Sequence, residues 1–184
     1  MFRSRSCQLN TALVLLGATL FLGPANVLLR RPNPVSTDLR RDIGIWSALI
    51  GVAHTVVGLQ VHFVGRMWLY FIQPLEERGR FPLRLEAFGF ANYTGLLATA
   101  LLVFLLALSN DLSLRRLGRS RWKAFQRLNY ALFSLVVLHA LLYQTIERRP
   151  WPYVSSGILL IVGILGVQLI AAWLVFRHRR VVGR

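Results

Sequence analysis

Acidic residues, cysteines and the signatures of soluble domains are all scarce in this 184-residue sequence. The single cysteine, Cys7, excludes an intramolecular disulfide, and no Cys or His lies near it at metal-ligand spacing. There is no G-x-G-x-x-G after a strand-like run, no P-loop and no soluble α/β segment, which excludes a reductase carrying its own nucleotide domain. Flavin (FMN or FAD) and nicotinamide, if used, must therefore sit on a separate partner. Only seven Asp and Glu oppose 22 Lys and Arg, giving a formal charge of +15. That excess does not describe a nucleic-acid binder, because long uncharged runs keep the cations apart in sequence instead of gathering them on a groove or helix face. No internal repeat, low-complexity tract or linker divides the chain, so residues 1–184 are expected to form a single helical domain.

What is abundant is apolar surface. Hydrophobic residues make up 55% of the chain and mean hydropathy is +0.51, too apolar for an ordinary soluble core. A spanning helix needs roughly 20 apolar residues to cross about 30 Å of hydrocarbon. Five uncharged runs meet that length, and they predict an all-α integral membrane bundle of about five transmembrane helices, at about 7–29, 43–65, 87–110, 128–146 and 153–176. The first run, preceded by Arg3 and Arg5, also resembles a secretory leader. Its apolar stretch is longer than a leader's usual core, and no convincing cleavage site precedes Arg30 and Arg31.

The cations set the expected orientation. Nearly all are arginines placed in the gaps between runs, and fourteen of the 22 fall in the first loop, the third loop and the C-terminal tail. Because cytoplasmic loops retain Lys and Arg during insertion, the N-terminus is expected outside and the C-terminus in the cytoplasm of an inner cell membrane. The outer segment Met67–Ile72 is too short to span and rich in aromatics, which suits an interfacial anchor.

Ionisable groups inside spans are costly and tend to mark function. His54 lies 13 residues after Arg41 in the second span, and His139 lies 12 residues after Arg127 in the fourth. At 1.5 Å per residue these are about 20 Å and about 18 Å from the inner ends. Both spans run outward, so the two imidazoles are expected at nearly equal depth, as the two axial ligands of a haem require. Ser47, Gly51, His54 and Gly58 share a helical face that would admit a flat macrocycle. The same stripe suits close helix packing, with the histidine hydrogen-bonded to a neighbour. The bare pattern leaves both readings open. His62, about 12 Å further out than His54, is a weaker candidate ligand facing no counterpart in the fourth span. His178, flanked by Arg177, Arg179 and Arg180, reads as part of a basic tail facing solvent or membrane lipid.

Longer motifs bear on the choice. Arg40-Arg41-Asp42-Ile43-Gly44, followed by His54, resembles the RRxLG-to-histidine segment of the ferric reductase-like transmembrane family. Further stretches run from Asn92-Tyr93-Thr94-Gly95 through Leu106–Asn110 and Arg116-Leu117-Gly118 to Trp122-Lys123-Ala124-Phe125-Gln126-Arg127-Leu128-Asn129-Tyr130 and His139. These are similar to that family's MsrQ/YedZ branch, the haem-binding subunits of periplasmic methionine sulfoxide reductase systems, whose pattern here is RLGxxWxxLHRLxY with a histidine 13 residues on. The similarity covers, with gaps, the first span to the end of the fourth. It implies a b-type cytochrome in which His54 and His139 ligate haem iron. It further implies electrons arriving from a cytosolic flavin reductase or a quinol, and an outer-side redox partner. Gln126 stands where the family places the first histidine of its fourth-span pair, which implies one haem b in place of two. The chain also resembles a member lacking the family's first span. If the haem were lost, the fold would serve as a membrane scaffold, assembly or transport subunit.

Overall fold

The computed structural model describes residues 17, 18, 20, 21, 35–61, 63–74, 82–148 and 150–182. Among them the chain is mostly helical, with no named strand. Five helices follow in order: α1 (Val35–Gly58), α2 (Ala87–Leu108), α3 (Asp111–Gln126), α4 (Leu128–Ile146) and α5 (Trp151–Val182). A short 3-10 turn, Met67–Tyr70, lies between α1 and α2. The first expected run is outside the described residues apart from 17, 18, 20 and 21, which are helical.

Three segments are long and apolar enough to cross a membrane: Ala87–Leu108, the stretch Asp111–Ile146 that contains α4, and Val154–Leu174 within α5. Their apolar side chains point outward as well as inward. Trp151, Leu159 and Leu169 of α5 are each at least 70% exposed, which water would penalise and lipid does not.

Boundaries at the charged ends differ from those expected. α1 begins at Val35, not Ile43, and ends at Gly58, not Gly65. Arg40, Arg41 and Asp42 are compatible with a helix wherever their side chains reach water, so hydropathy marked where lipid begins and not where the helix begins. After Gly58 the ladder tightens, with Gln60 N–H on Val57 O and Val61 N–H on Gly58 O, both 3.1 Å. A type II turn follows at Phe63–Arg66, closed by a 2.8 Å bond and by Gly65 at φ +75°. α5 likewise continues beyond Phe176 through the basic residues to Val182.

The third loop is itself helical. In α3 Asn110 caps the start, its side chain accepting from Ser113 N–H at 2.7 Å, and Gly118 at φ 73°, ψ 157° breaks the helix into two pieces. α3 also completes the end of α2, whose last carbonyls lack helical donors. Trp122 Nε1 donates to Leu108 O (3.0 Å), Ser109 Oγ to Leu105 O (2.8 Å) and Asn110 Nδ2 to Ala107 O (2.6 Å).

α2 is the axis of the bundle. Among the described residues it packs most extensively on α4 and next on α1, and no comparable packing joins α1 to α4 directly. The core between them comprises Leu20, Ala48, Ala98, Leu102, Leu105, Leu132, Phe133 and Ile164. α5 joins this core through Ile164, and Gln168 Nε2 donates to Leu20 O at 2.6 Å.

Candidate functional site

The site forms at the N-terminal end of α2, where elements far apart in sequence meet its first four turns. His139 comes from α4, and its Nδ1 lies 2.7 Å from the Ala91 carbonyl oxygen. A carbonyl only accepts, so Nδ1 carries the proton, and the neutral ring keeps its lone pair on Nε2. One turn along α2, Gly95 lies directly beneath the ring. A Cβ built there would fall 2.7 Å from both Nδ1 and Cε1 of His139. Tyr143, one turn beyond His139 on α4, packs against it with ring centroids 4.9 Å apart.

His54 enters from α1. Its neighbour Thr55 joins Thr99 of α2, hydroxyl to hydroxyl, at 2.8 Å. Thr55 Oγ1 is also 3.0 Å from Gly51 O, and Thr99 Oγ1 is 2.9 Å from Gly95 O. Two hydroxyl protons serve these three contacts, so one back-bond yields whenever the inter-helix bond forms. Among the described residues His54 has no hydrogen-bond partner, and its imidazole lies within electrostatic range of His139. With α2 as ruler, His139 sits at Ala91 and Gly95, and the turn carrying His54 sits at Thr99.

The stripe on α1 divides between two uses. Ser47 and Ala48 are buried, and a Cβ at Gly51 would touch Leu102 at 3.4 Å, which is helix packing on α2. Gly58 faces open space, and its carbonyl accepts the Tyr70 hydroxyl at 2.8 Å.

Residues 67–74 and 82–86, which include the expected interfacial anchor Met67–Ile72, form a folded cap over this end. Tyr70 is 2% exposed, stacks on Phe88 and meets Phe63 edge-on. Asn92 ties the cap to the histidine helix: Nδ2 donates to Phe88 O (2.8 Å) and Tyr70 O (3.3 Å), and Oδ1 accepts from Tyr143 Oη at 2.6 Å. Tyr93 Oη donates to Phe71 O (2.6 Å). Arg84 Nε donates to Leu69 O (2.8 Å), its guanidinium pairs with Glu86, and it lies 5.8 Å from the Phe63 and Phe88 ring centres. Much of Arg84's hydrogen-bonding capacity is therefore used within the chain. A shallow cleft of about 540 Å³ over the cap is lined by Phe63, Arg84, Glu86, Ala87 and Phe88, and neither histidine lines it.

Sequence reasoning missed Tyr70, Asn92 and Tyr143. The available signal was a polar Asn-Tyr pair opening an otherwise apolar span. Gln126 sits at the end of α3, far along α2 from the histidines. Its Oε1 accepts from Asn129 Nδ2 at 3.2 Å, and its Nε2 is buried with no partner among the described residues. His62 and the side chain of His178 lie outside the described residues. Among the described residues no three His, Cys, Asp or Glu side chains cluster as a metal site would require.

Among the described residues the site holds one imidazole with Nδ1 engaged and Nε2 bearing the lone pair, a second imidazole without a hydrogen-bond partner, and two flanking helices that each pack chiefly on α2. No protein-family model matches the chain, and no solved structure matches it.

Proposed function

We propose that the chain is a b-type cytochrome of about five transmembrane helices, in which His54 and His139 hold one haem b in the outer half of the bundle. The observation that carries this reading is the His139 Nδ1 contact with Ala91 O at 2.7 Å, which leaves the lone pair of the other ring nitrogen available for ligation. A haem bound there supplies a one-electron carrier, and the protein supplies its place and orientation. α4 presents His139, the Ala91 carbonyl fixes its tautomer, and Tyr143 and the cap close the site toward the outer surface. Electrons arrive from the inner side through a cytosolic flavin reductase or a quinol, and leave to an acceptor outside. The C-terminus is cytoplasmic and the N-terminus outside, the orientation that places most arginines inside.

A second reading has one observation in its favour. Gly51 is used for packing against Leu102, as in a haem-free scaffold, assembly or transport subunit that keeps the fold.

An absorption spectrum of the detergent-purified protein, before and after dithionite, separates the two. A reduced α-band of b type is expected, with most haem lost in His54→Ala and in His139→Ala and none lost in His178→Ala. Clean protein without a Soret band, or full haem in both single variants, rejects the cytochrome. Pyridine haemochrome quantitation is expected to give a haem-to-protein ratio near one. A ratio near two would point first to His62.

A further inference from the structure

We propose that Gly95, on the helix that contributes no histidine, is the positioning residue of the site. Its missing side chain is what lets the His139 ring lie on the α2 backbone and donate Nδ1–H to the Ala91 carbonyl. The significance of this contact for iron rests on the haem reading, whereas the contact itself does not.

Three features of the geometry carry the inference. First, the interference is direct, since a Cβ at Gly95 would come within 2.7 Å of Nδ1 and Cε1, the nitrogen that makes the bond and the carbon between the two nitrogens. That distance lies well inside van der Waals contact, so one partner must move. Second, the ring has little freedom to yield. It is held on one edge by Ala91 O at 2.7 Å and packed, tilted, against Tyr143 with ring centroids 4.9 Å apart, and Tyr143 is itself bonded to Asn92. A swing away from Gly95 takes Nδ1 away from its acceptor, and the free ring can then adopt the tautomer with the proton on Nε2, whose lone pair is then no longer available to a metal. Third, Gly95 is not simply a flexible point in the helix. It has no left-handed backbone angle, unlike Gly65 and Gly118, and its carbonyl is engaged by Thr99 Oγ1 at 2.9 Å. Glycine in a helix interior costs about 1 kcal/mol relative to alanine, so in the absence of His139 alanine here would stabilise the helix.

The contrast with other glycines sharpens the assignment. A Cβ at Gly58, Gly163 or Gly166 meets nothing within 4 Å, and one at Gly51 reaches only ordinary contact with Leu102. Gly95 is the described glycine whose substituent would strike an imidazole.

The test is a double-mutant cycle on the full-length protein, made in a haem-deficient host so that no cofactor contributes. Gly95→Ala is expected to lower the apparent melting temperature by about 5 °C with His139 present, and to leave it unchanged or raise it slightly in the His139→Ala background, where the space is open. Gly163→Ala serves as the control, with no dependence on residue 139. In ¹⁵N-histidine spectra of the same apoprotein, His139 is expected as the Nδ1–H tautomer in the parent chain and as a tautomer mixture in Gly95→Ala. Equal effects of Gly95→Ala in both backgrounds, or an unchanged tautomer, would overturn the assignment. Should Gly95→Ala fail to accumulate, recovery of folded protein in Gly95→Ala/His139→Ala supports it, and failure of both rejects it. Because every readout is taken without haem, a protein that never binds haem would defeat the cytochrome reading and leave the Gly95 result standing.

Discussion

The two ends of the bundle solve the same problem in opposite ways. Each must finish helices whose terminal backbone groups leave the apolar region. At the cap end, residues 67–74 and 82–95 do so with buried polar groups: Tyr70 at 2% exposure, Asn92 bridging the cap to Tyr143, and an Arg84 side chain only 13% exposed between two phenylalanines. At the opposite end, α3 has no buried residue, and its ion pair, Arg41 with Asp111 at 2.8 Å, has side chains 41% and 71% exposed. A buried hydrogen bond is costly to break because its abandoned partner loses water as well. An exposed ion pair gives up little, because water replaces it. The cap end should therefore be rigid and intolerant of substitution, and the α3 end permissive.

The most severe way to break this contrast is Tyr70→Ala. Removing the most buried ring of the cap, together with its bond to Gly58 O, should cost about 3–5 kcal/mol, read as loss of folded protein in detergent. A change below about 1 kcal/mol would mean that the cap is a loose surface segment after all. Next comes Asn92→Ala, which leaves the Tyr143 hydroxyl and the Tyr70 carbonyl without their partner and should cost about 2–3 kcal/mol. Denaturant titration measures it, and Asn92→Asp, which keeps the acceptor for Tyr143, should recover part of the loss.

Arg148→Gly works in the opposite direction. Arg148 ends α4 at φ 45°, in the left-handed region that costs a side-chain-bearing residue about 1–2 kcal/mol. Glycine should raise stability by up to about 1 kcal/mol, seen as a higher melting temperature. Smallest is Arg41→Ala at the α3 end, expected within about 0–1 kcal/mol and fading with added salt. A larger, salt-insensitive loss would show that the α3 end is tied together as the cap end is.

Legibility followed the same division. α4 lies at 128–146, as the uncharged run implied, and α2 ends two residues short of its run. Both are bounded by residues that lipid rejects, so hydropathy and helix end together. α1 was displaced because Arg41 and Asp42 are helical and exposed at once. The cap was read as an anchor because aromatic residues in a short segment look alike whether they face lipid or each other. Only the partners, Phe63, Phe88 and Gly58 O for Tyr70, distinguish the two.

By itself the sequence determined that the chain carries helices long and apolar enough for a membrane, and that few imidazoles would be placed within them, because transfer free energy and helical rise are local properties summed along the chain. Tertiary structure alone decided which nitrogen of His139 is protonated, and that Gly95 and Asn92 of a histidine-free helix hold the site together. Those outcomes depend on what α1, α4 and the cap each press against on α2, and a contact between residues 44 to 51 positions apart leaves no periodicity in the sequence to read.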